Sequence, residues 1–304
     1  MEFSSRVYGN KRYYHACPSR KENQDYIAES LQWLFKNVPL DGVQIEAGDT
    51  GVCQCKLCKQ RRQHPTGNFS WEDLTLLHPI AIRAVRDVKP DAWICCETYS
   101  HPEPHKGDEH PEFGGGKTAW ADECLAKLPD GVFIEWVYDK LNKKTAKQNW
   151  TQAGNLDNKR FRHILRAHFG TYWGNIRGEV AIEKIATLVQ ECVAHGADCT
   201  SLFGEVSPFQ TGAELNYLAL ENFGSAANPK ADLDVFLREV AGPLLGGEEH
   251  ARGFLKYAKL KRQKRQIPDA LKDIYRRCGS LPPEAARRWA WLGNFLASFA
   301  YEAR

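Results

Sequence analysis

Long hydrophobic runs are missing from this sequence. No segment approaches the roughly 18 apolar residues of a membrane-spanning helix, so no membrane partner is predicted. The first residues, MEFSSRVYGNKRYY, also lack the apolar core of a signal peptide, and the chain as printed is expected to be cytoplasmic. A segment preceding Met1 would instead allow a secreted or periplasmic protein.

Net charge is also small. The chain has 41 Lys and Arg residues against 38 Asp and Glu residues, which leaves a formal charge of +3. Proteins that bind nucleic acids usually present a much stronger positive field, so no nucleic-acid partner is predicted. The basic run KLKRQKR at 259–265 is expected to be a solvated helix face.

Short apolar runs and amphipathic helical runs alternate over the first two thirds of the 304 residues. This alternation is typical of a parallel sheet covered by helices. The predicted strands are residues 11–17, 41–47, 92–98, 131–137, 161–170 and 198–205. The predicted helices between them are 23–38, 71–88, 118–128 and 179–196, with Pro79 as a kink or boundary in the second.

The last third of the chain has a helical pattern only. Helices are predicted at 212–224, 231–245, 248–266 and 282–303. We therefore expect residues 1–210 to form a catalytic-type β/α domain and residues 211–304 to form a helical region packed on it.

Two architectures fit the alternating part, a doubly wound sheet and a (β/α)8 barrel. The first strand-to-helix turn, CPSRKENQ, contains no glycine, which disfavours a dinucleotide-binding sheet. Five successive strands carry ionisable side chains near their C-terminal ends, as expected around the mouth of a barrel. These residues are Glu46, Glu97, Glu135, the pair Arg166 and His168, and Glu205.

The sequence therefore predicts an α/β fold of the (β/α)8 TIM-barrel type, followed by a C-terminal helical region. Only six strands are visible and a closed barrel needs eight, so we expect the barrel to be incomplete at its N-terminus. An open or atypical sheet is the alternative.

The spacing of three of the ten cysteines predicts a metal site. Cys53, Cys55 and Cys58 form a C-x-C-x-x-C cluster, and the loop after the preceding strand offers Cys17 as a fourth ligand. Four thiolates would bind Zn²⁺ in a closed tetrahedral site with no position for a reacting water, so the ion would be structural. His64 or His15 in place of one thiol and reduced, unliganded thiols are the alternatives.

The cysteine cluster and its surroundings resemble glycoside hydrolase barrels. In family 42 β-galactosidases, a cysteine follows the third strand and a C-x-C-x-x-C follows the acid/base glutamate of the fourth. The segment AGDTGVCQCKLC at 47–58 and the stretch 196–246 are also similar to an uncharacterised family of carbohydrate-related barrels near the α-glucuronidases and family 20 hexosaminidases. The resemblance implies a protein that cleaves a glycosidic bond in a poly- or oligosaccharide.

The same resemblance suggests roles for four carboxylates. Glu46 or Asp49, after the strand at 41–47, would donate a proton to the leaving oxygen. In family 42 the nucleophile lies at the end of strand seven, which corresponds to the strand at 161–170 of this chain. Here that strand has no carboxylate at its end, so the chain departs from family 42 at this point. Glu97 or Glu135 would then act as the base of an inverting reaction. Alternatively, an acetamido group of the substrate is the nucleophile, oriented by Asp49.

Other side chains are predicted to bind the sugar. Arg166 and His168 would contact a uronate carboxylate or sugar hydroxyls, so a uronic acid or an N-acetylhexosamine is the expected substrate class. Trp136, Tyr172 and Trp173 would offer rings for stacking, and Glu205 would complete the mouth. The alternatives are a non-catalytic carbohydrate-binding or scaffold barrel with structural zinc, and a zinc-dependent hydrolase.

Overall fold

The computed structural model describes residues 3–8, 11–46, 53–63, 70–97, 125–138, 159–169, 178–203 and 210–301. The chain divides into two compact units. The first comprises Met1–Leu165 with His195–Asp198, and the second comprises Arg166–Ala194 with Cys199–Arg304. The domain boundary expected at residue 210 stays a prediction.

An antiparallel hairpin begins the chain. Strand β1 (Phe3–Tyr8) pairs with β2 (Lys11–Ala16), and the register runs from Phe3 opposite Ala16 to Tyr8 opposite Lys11. In the sequence, only Gly9 and Asn10 separate the two strands. A two-residue connection suits an antiparallel pair, whereas a parallel pair needs a crossover of a dozen residues or more. The segment predicted as the first strand of the parallel sheet therefore belongs to a hairpin.

A single parallel sheet of five strands replaces the predicted barrel. Its strands are neighbours in the order in which they follow one another in the chain: β3 (Gly42–Ile45), β4 (Trp93–Glu97), β5 (Phe133–Val137), β6 (Arg162–Ala167) and β7 (Cys199–Leu202). Within the described ranges, β3 and β7 each have a neighbour on one side only. The prediction of a (β/α)8 barrel with six visible strands was therefore wrong, because the first of the six pairs in the hairpin.

The register of β3, β4 and β5 determines which side chains share a face. Gln44 lies opposite Cys95, and Glu97 lies opposite Glu135. Because side chains alternate along a strand, Gln44, Cys95, Glu97 and Glu135 all lie on one face of the sheet. The first position of β3 is a glycine because a Cβ atom on Gly42 would lie 2.3 Å from the carbonyl oxygen of Trp93.

In the described part of the first unit, the structure has three helices: α1 (Lys21–Asn37), α2 (Lys56–Arg61) and α3 (Trp71–Arg86). Helix α1 packs against α3. The Ser70 hydroxyl caps α3 by accepting a hydrogen bond from the backbone N–H of Asp73 at 3.2 Å. The helix continues past Pro79 to Arg86, so this proline does not form its boundary.

The second unit is mainly helical, in agreement with the predicted C-terminal helical region. Its core surrounds Trp289, which is fully buried, contacts Phe254 edge to face and donates its indole N–H to the carbonyl oxygen of Leu245. The helices are α4 (Ile182–His195), α5 (Thr211–Phe223), α6 (Leu233–Phe236), a π-helical turn (Leu237–Ala241), α7 (Gly242–Leu245), α8 (Glu248–Ala258), α9 (Ile267–Cys278) and α10 (Pro283–Tyr301).

The basic run at 259–265 differs from its prediction. Helix α8 ends at Ala258, and two short 3₁₀ helices follow, Lys259–Arg262 and Lys264–Gln266. Lys259 pairs with Glu183, and Lys261 pairs with Glu179. Helix α9 was not predicted. Among the described helices, none is both long and apolar enough to cross a membrane.

His78 makes the stability of the first unit depend on pH. This α3 residue is 1% exposed, and neither ring nitrogen has a hydrogen-bond partner among the described residues. Burial lowers the pKa of His78 to about 3. An unfolded histidine has a pKa near 6.5, so between these values the unfolded chain binds more protons and stability falls as pH falls.

We expect the wild-type protein to lose about 2 kcal/mol of stability between pH 7 and pH 5 through this one group. His78→Phe removes the titration and should flatten the profile by that amount in urea unfolding at the two pH values. His195→Gln, at a partly exposed position, is the matched control and should keep the wild-type slope. Equal slopes for wild type and His78→Phe would contradict the assignment.

Candidate functional site

Four cysteines from two separate segments meet in the first unit. Cys17 follows β2, Cys53 and Cys55 precede α2, and Cys58 lies within α2. Their four sulfur atoms all lie within 4.8 Å of one another, and Cys17 Sγ is 3.5 Å from Cys55 Sγ and 3.4 Å from Cys58 Sγ. None of the four cysteines forms a disulfide bond, and three of them are buried, with Cys55 partly exposed.

The spacing of the sulfur atoms fits a metal ion. Tetrahedral Zn²⁺ with Zn–S bonds of about 2.3 Å would place its sulfur ligands roughly 3.8 Å apart. The observed separations of 3.4 and 3.5 Å are close to this value and far from the roughly 2.05 Å of a disulfide bond. The predicted grouping of Cys17, Cys53, Cys55 and Cys58 is therefore confirmed, and these residues could hold a metal ion.

The thiols differ in how strongly they hold a proton. Burial raises the pKa of Cys17, and its hydrogen bond with Cys58 raises it further. Burial also acts to raise the pKa of Cys55, but hydrogen bonds from the backbone N–H of Cys58 and from neighbouring thiols outweigh it and lower the pKa to about 7. Since thiolates are the form that binds metals, the lowered pKa of Cys55 favours its binding to a metal ion.

Backbone contacts hold the cysteine segments in place. The Asn23 side chain donates to the carbonyl oxygen of Cys17 at 2.9 Å, and Gln24 donates to that of Pro18 at 2.8 Å. On the other segment, the Arg62 guanidinium donates to the carbonyl oxygen of Cys53 at 2.7 Å. The segment of Cys17 is thus held by two side chains of α1, the helix that follows it. The segment of Cys53 is held by Arg62, the residue directly after α2.

A second group of polar side chains lies on the face of the sheet defined by Gln44. The Gln44 side-chain amide donates to Glu135 Oε2 at 2.8 Å and to Glu97 Oε2 at 3.2 Å. Glu97 and Glu135 are only 1% and 2% exposed. Neighbouring parallel strands place their C-terminal ends side by side, which is why two acids that are far apart in sequence share one amide.

The carboxylate spacing is compatible with acid/base chemistry. Both acceptor oxygens lie within 3.2 Å of the same nitrogen atom, so they are at most about 6 Å apart, and paired carboxyl groups of glycoside hydrolases are roughly 5–10 Å apart. Glu46 is exposed and follows β3 directly. Continuing the β3–β4 register by one residue would place Glu46 opposite Glu97, at the same level.

Arg166 and His168 lie in the second unit, against Phe203. The Arg166 guanidinium is 5.4 Å from the centre of the Phe203 ring, and His168 stacks on that ring at 4.9 Å. Burial, and to a smaller extent the Arg166 charge, lower the pKa of His168 to about 4. His168 is therefore neutral near pH 7, so it could bind a sugar hydroxyl but would add no positive charge for a uronate.

The other predicted site residues are either buried or outside the described residues. Trp136 is fully buried and donates its indole N–H to His163 Nδ1 at 3.1 Å, so it offers no ring face for a sugar. Asp49, Trp173, Glu205 and Tyr172 lie outside the described residues. Sequence reasoning missed the bridging role of Gln44, although its alternation with Glu46 in GVQIEA was the signal for a shared face.

No protein-family model matches the chain. No match is found among the curated proteins either.

The cysteine geometry predicts one metal ion bound per chain. Elemental analysis of protein expressed in zinc-supplemented medium should find about one equivalent, because four sulfur ligands complete a tetrahedral shell. Cys55→Ser should lose the ion and lower the melting temperature. Cys278→Ser, at a partly buried position in α9, is the control and should retain the ion. Metal-free wild-type protein would contradict a metal site.

Proposed function

We propose that the chain is a glycoside hydrolase-like protein that cleaves a glycosidic bond in a poly- or oligosaccharide by carboxylate acid/base catalysis. The observation that carries this proposal is the buried pair Glu97 and Glu135, held together by Gln44. Glycoside cleavage needs two carboxyl groups, one to protonate the leaving oxygen and one to act as base or nucleophile. The pair meets that requirement within one face of the sheet.

Gln44 suits this chemistry because its amide holds both carboxyl groups in either protonation state. An amide N–H can donate to a carboxylate oxygen and equally to the carbonyl oxygen of a protonated carboxyl group. The bridge can therefore persist while a proton moves on or off one acid. We assign Glu97 and Glu135 as the paired acids, and retain Glu46, which is exposed directly after β3, and Asp49 as candidate proton donors.

A uronic acid is the first proposed substrate class, as the resemblance to barrels near the α-glucuronidases suggests. Arg166 stays a predicted ligand of its carboxylate, which a guanidinium suits. An N-acetylhexosamine, whose acetamido group would act as nucleophile, remains the alternative substrate.

We assign Zn²⁺ to the four cysteines as a structural ion. A complete set of four thiolates leaves no position for a reacting water, so the ion would stabilise the segments that follow β2 and β3 and take no part in the chemistry. The same argument disfavours a zinc-dependent hydrolase.

A non-catalytic carbohydrate-binding or scaffold protein is the second candidate. The observation that favours it is the near-complete burial of Glu97 and Glu135 together with their shared bond to Gln44. A hydrogen-bonded pair of this kind could serve only to hold three strands in register. In that case the protein would bind oligosaccharides without cleaving them.

The test is an assay of wild-type protein on aryl glycosides, aryl uronides and N-acetylhexosaminides. Glu46→Gln, Asp49→Asn, Glu97→Gln and Glu135→Gln are compared with Glu29→Gln, an exposed α1 position, as the control. At least one of the four should lower the rate by about 100-fold or more, because general acid catalysis contributes that much. Glu29→Gln should keep the wild-type rate.

One result would contradict the assigned carboxylates, and another would contradict hydrolysis. A measurable wild-type rate that none of the four substitutions lowers would remove these carboxylates from the site. Binding of oligosaccharides in calorimetry with no turnover on any substrate would favour the non-catalytic protein. Circular dichroism of each variant separates a lost reaction from a lost fold.

A further inference from the structure

We propose that Ser19 and Arg61 position and polarise the Cys58 thiolate through a hydrogen-bond relay, and that Arg61 and Arg62 balance the charge of the metal complex. This inference rests on the metal site assigned above and is independent of glycosidase activity. Neither the C-x-C-x-x-C spacing nor the prediction of four ligands includes any of these three residues.

The direction of the relay follows from which groups can donate. Arg61 Nε lies 2.9 Å from Ser19 Oγ, and Ser19 Oγ lies 3.2 Å from Cys58 Sγ. A guanidinium nitrogen only donates, so Ser19 Oγ accepts from Arg61 and keeps its own proton for another acceptor. A metal-bound Cys58 is a thiolate without a proton, so Ser19 must be the donor in the contact with its sulfur.

Charge balance gives the second argument. A divalent ion with four thiolates carries two negative charges. Arg61 and Arg62 both form ion pairs with Asp73, so these three side chains together carry one positive charge. The Arg62 side chain is only 4% exposed, so little solvent screens this charge. The local field therefore favours an anionic occupant, which four thiolates around a divalent ion would be.

The relay is fixed to the first turn of α3. The Asp73 carboxylate accepts hydrogen bonds from both arginines, and the Ser70 hydroxyl accepts one from the backbone N–H of Asp73. Arg61 also donates to the carbonyl oxygen of Glu72 at 3.1 Å. These contacts restrict the rotamer of Arg61, so its guanidinium is held in the orientation that lets Nε donate to Ser19 Oγ. Partners of this kind outside the ligands typically change metal affinity by about 10–100-fold when removed.

The experiment uses Co²⁺ and Zn²⁺ titrations of the full chain, with a chelator as competitor. Ser19→Ala and Arg61→Gln should each weaken binding by about 10–100-fold. In Co²⁺-loaded Ser19→Ala, the thiolate-to-cobalt charge-transfer band should move to lower energy, because the hydrogen bond no longer stabilises the sulfur lone pairs. Ser19→Thr keeps a hydroxyl and should retain wild-type affinity and spectrum.

Matched controls remove the same groups elsewhere in the first unit. Ser30→Ala on α1 and Arg83→Gln on α3 are at exposed positions and should bind both ions as wild type does. Arg62→Gln tests the charge argument and should weaken Zn²⁺ binding, whereas Arg62→Lys, which keeps the charge, should weaken it less.

The outcomes separate the relay from the site on which it depends. If wild type binds neither ion, the metal site and the relay are both overturned. If wild type binds and folded Ser19→Ala has unchanged affinity and an unchanged cobalt spectrum, only the relay is overturned. Should Ser19→Ala fail to fold, Arg61→Gln against Arg83→Gln gives the decisive comparison, and equal affinities there also overturn the relay.

Discussion

The convergence of four sulfur atoms is the constraint on which the first unit depends. Cys17 and Cys58 are 41 positions apart in the chain, and α1 and β3 lie between them. Bringing their sulfur atoms to 3.4 Å closes a long loop, which costs chain entropy that a shared metal ion would offset. Ile45 is held by the parallel sheet, and Cys53 is held in the cysteine group.

The carboxylate pair depends on a different constraint, the register of three parallel strands. A shift of β4 by one residue would turn Glu97 to the opposite face and break its contact with Gln44. Register in a buried parallel sheet is set by the alternation of apolar and polar positions along each strand. The acids are therefore positioned by backbone pairing, whereas the cysteine segments are positioned by side chains such as Asn23 and Arg62.

Local patterns predicted most elements but not their partners. The strands near 42–45, 93–97 and 133–137 were predicted because short apolar runs mark buried strands. Residues 11–16 were also recognised as a strand, yet alternation does not reveal whether a strand pairs in parallel or antiparallel, and that error produced the barrel. The cysteine group was predictable from spacing. Ser19 and Arg61 were not, because their contact depends on how α2 lies beside the segment after β2.

The two constraints act at neighbouring positions of the sequence, the sheet up to Glu46 and the cysteine group from Cys53. Glu46 is exposed, whereas Glu97 and Glu135 are buried and bridged by Gln44. An acid that must approach a substrate needs a defined position, and a side chain just beyond a strand end obtains it from the segment that follows. A metal ion held by four thiolates would supply that definition while staying outside the reaction. Under the proposed function, the acids and thiols of this segment would have separate roles: the sulfur ligands would hold the segment in place, and the carboxylates would carry out the reaction.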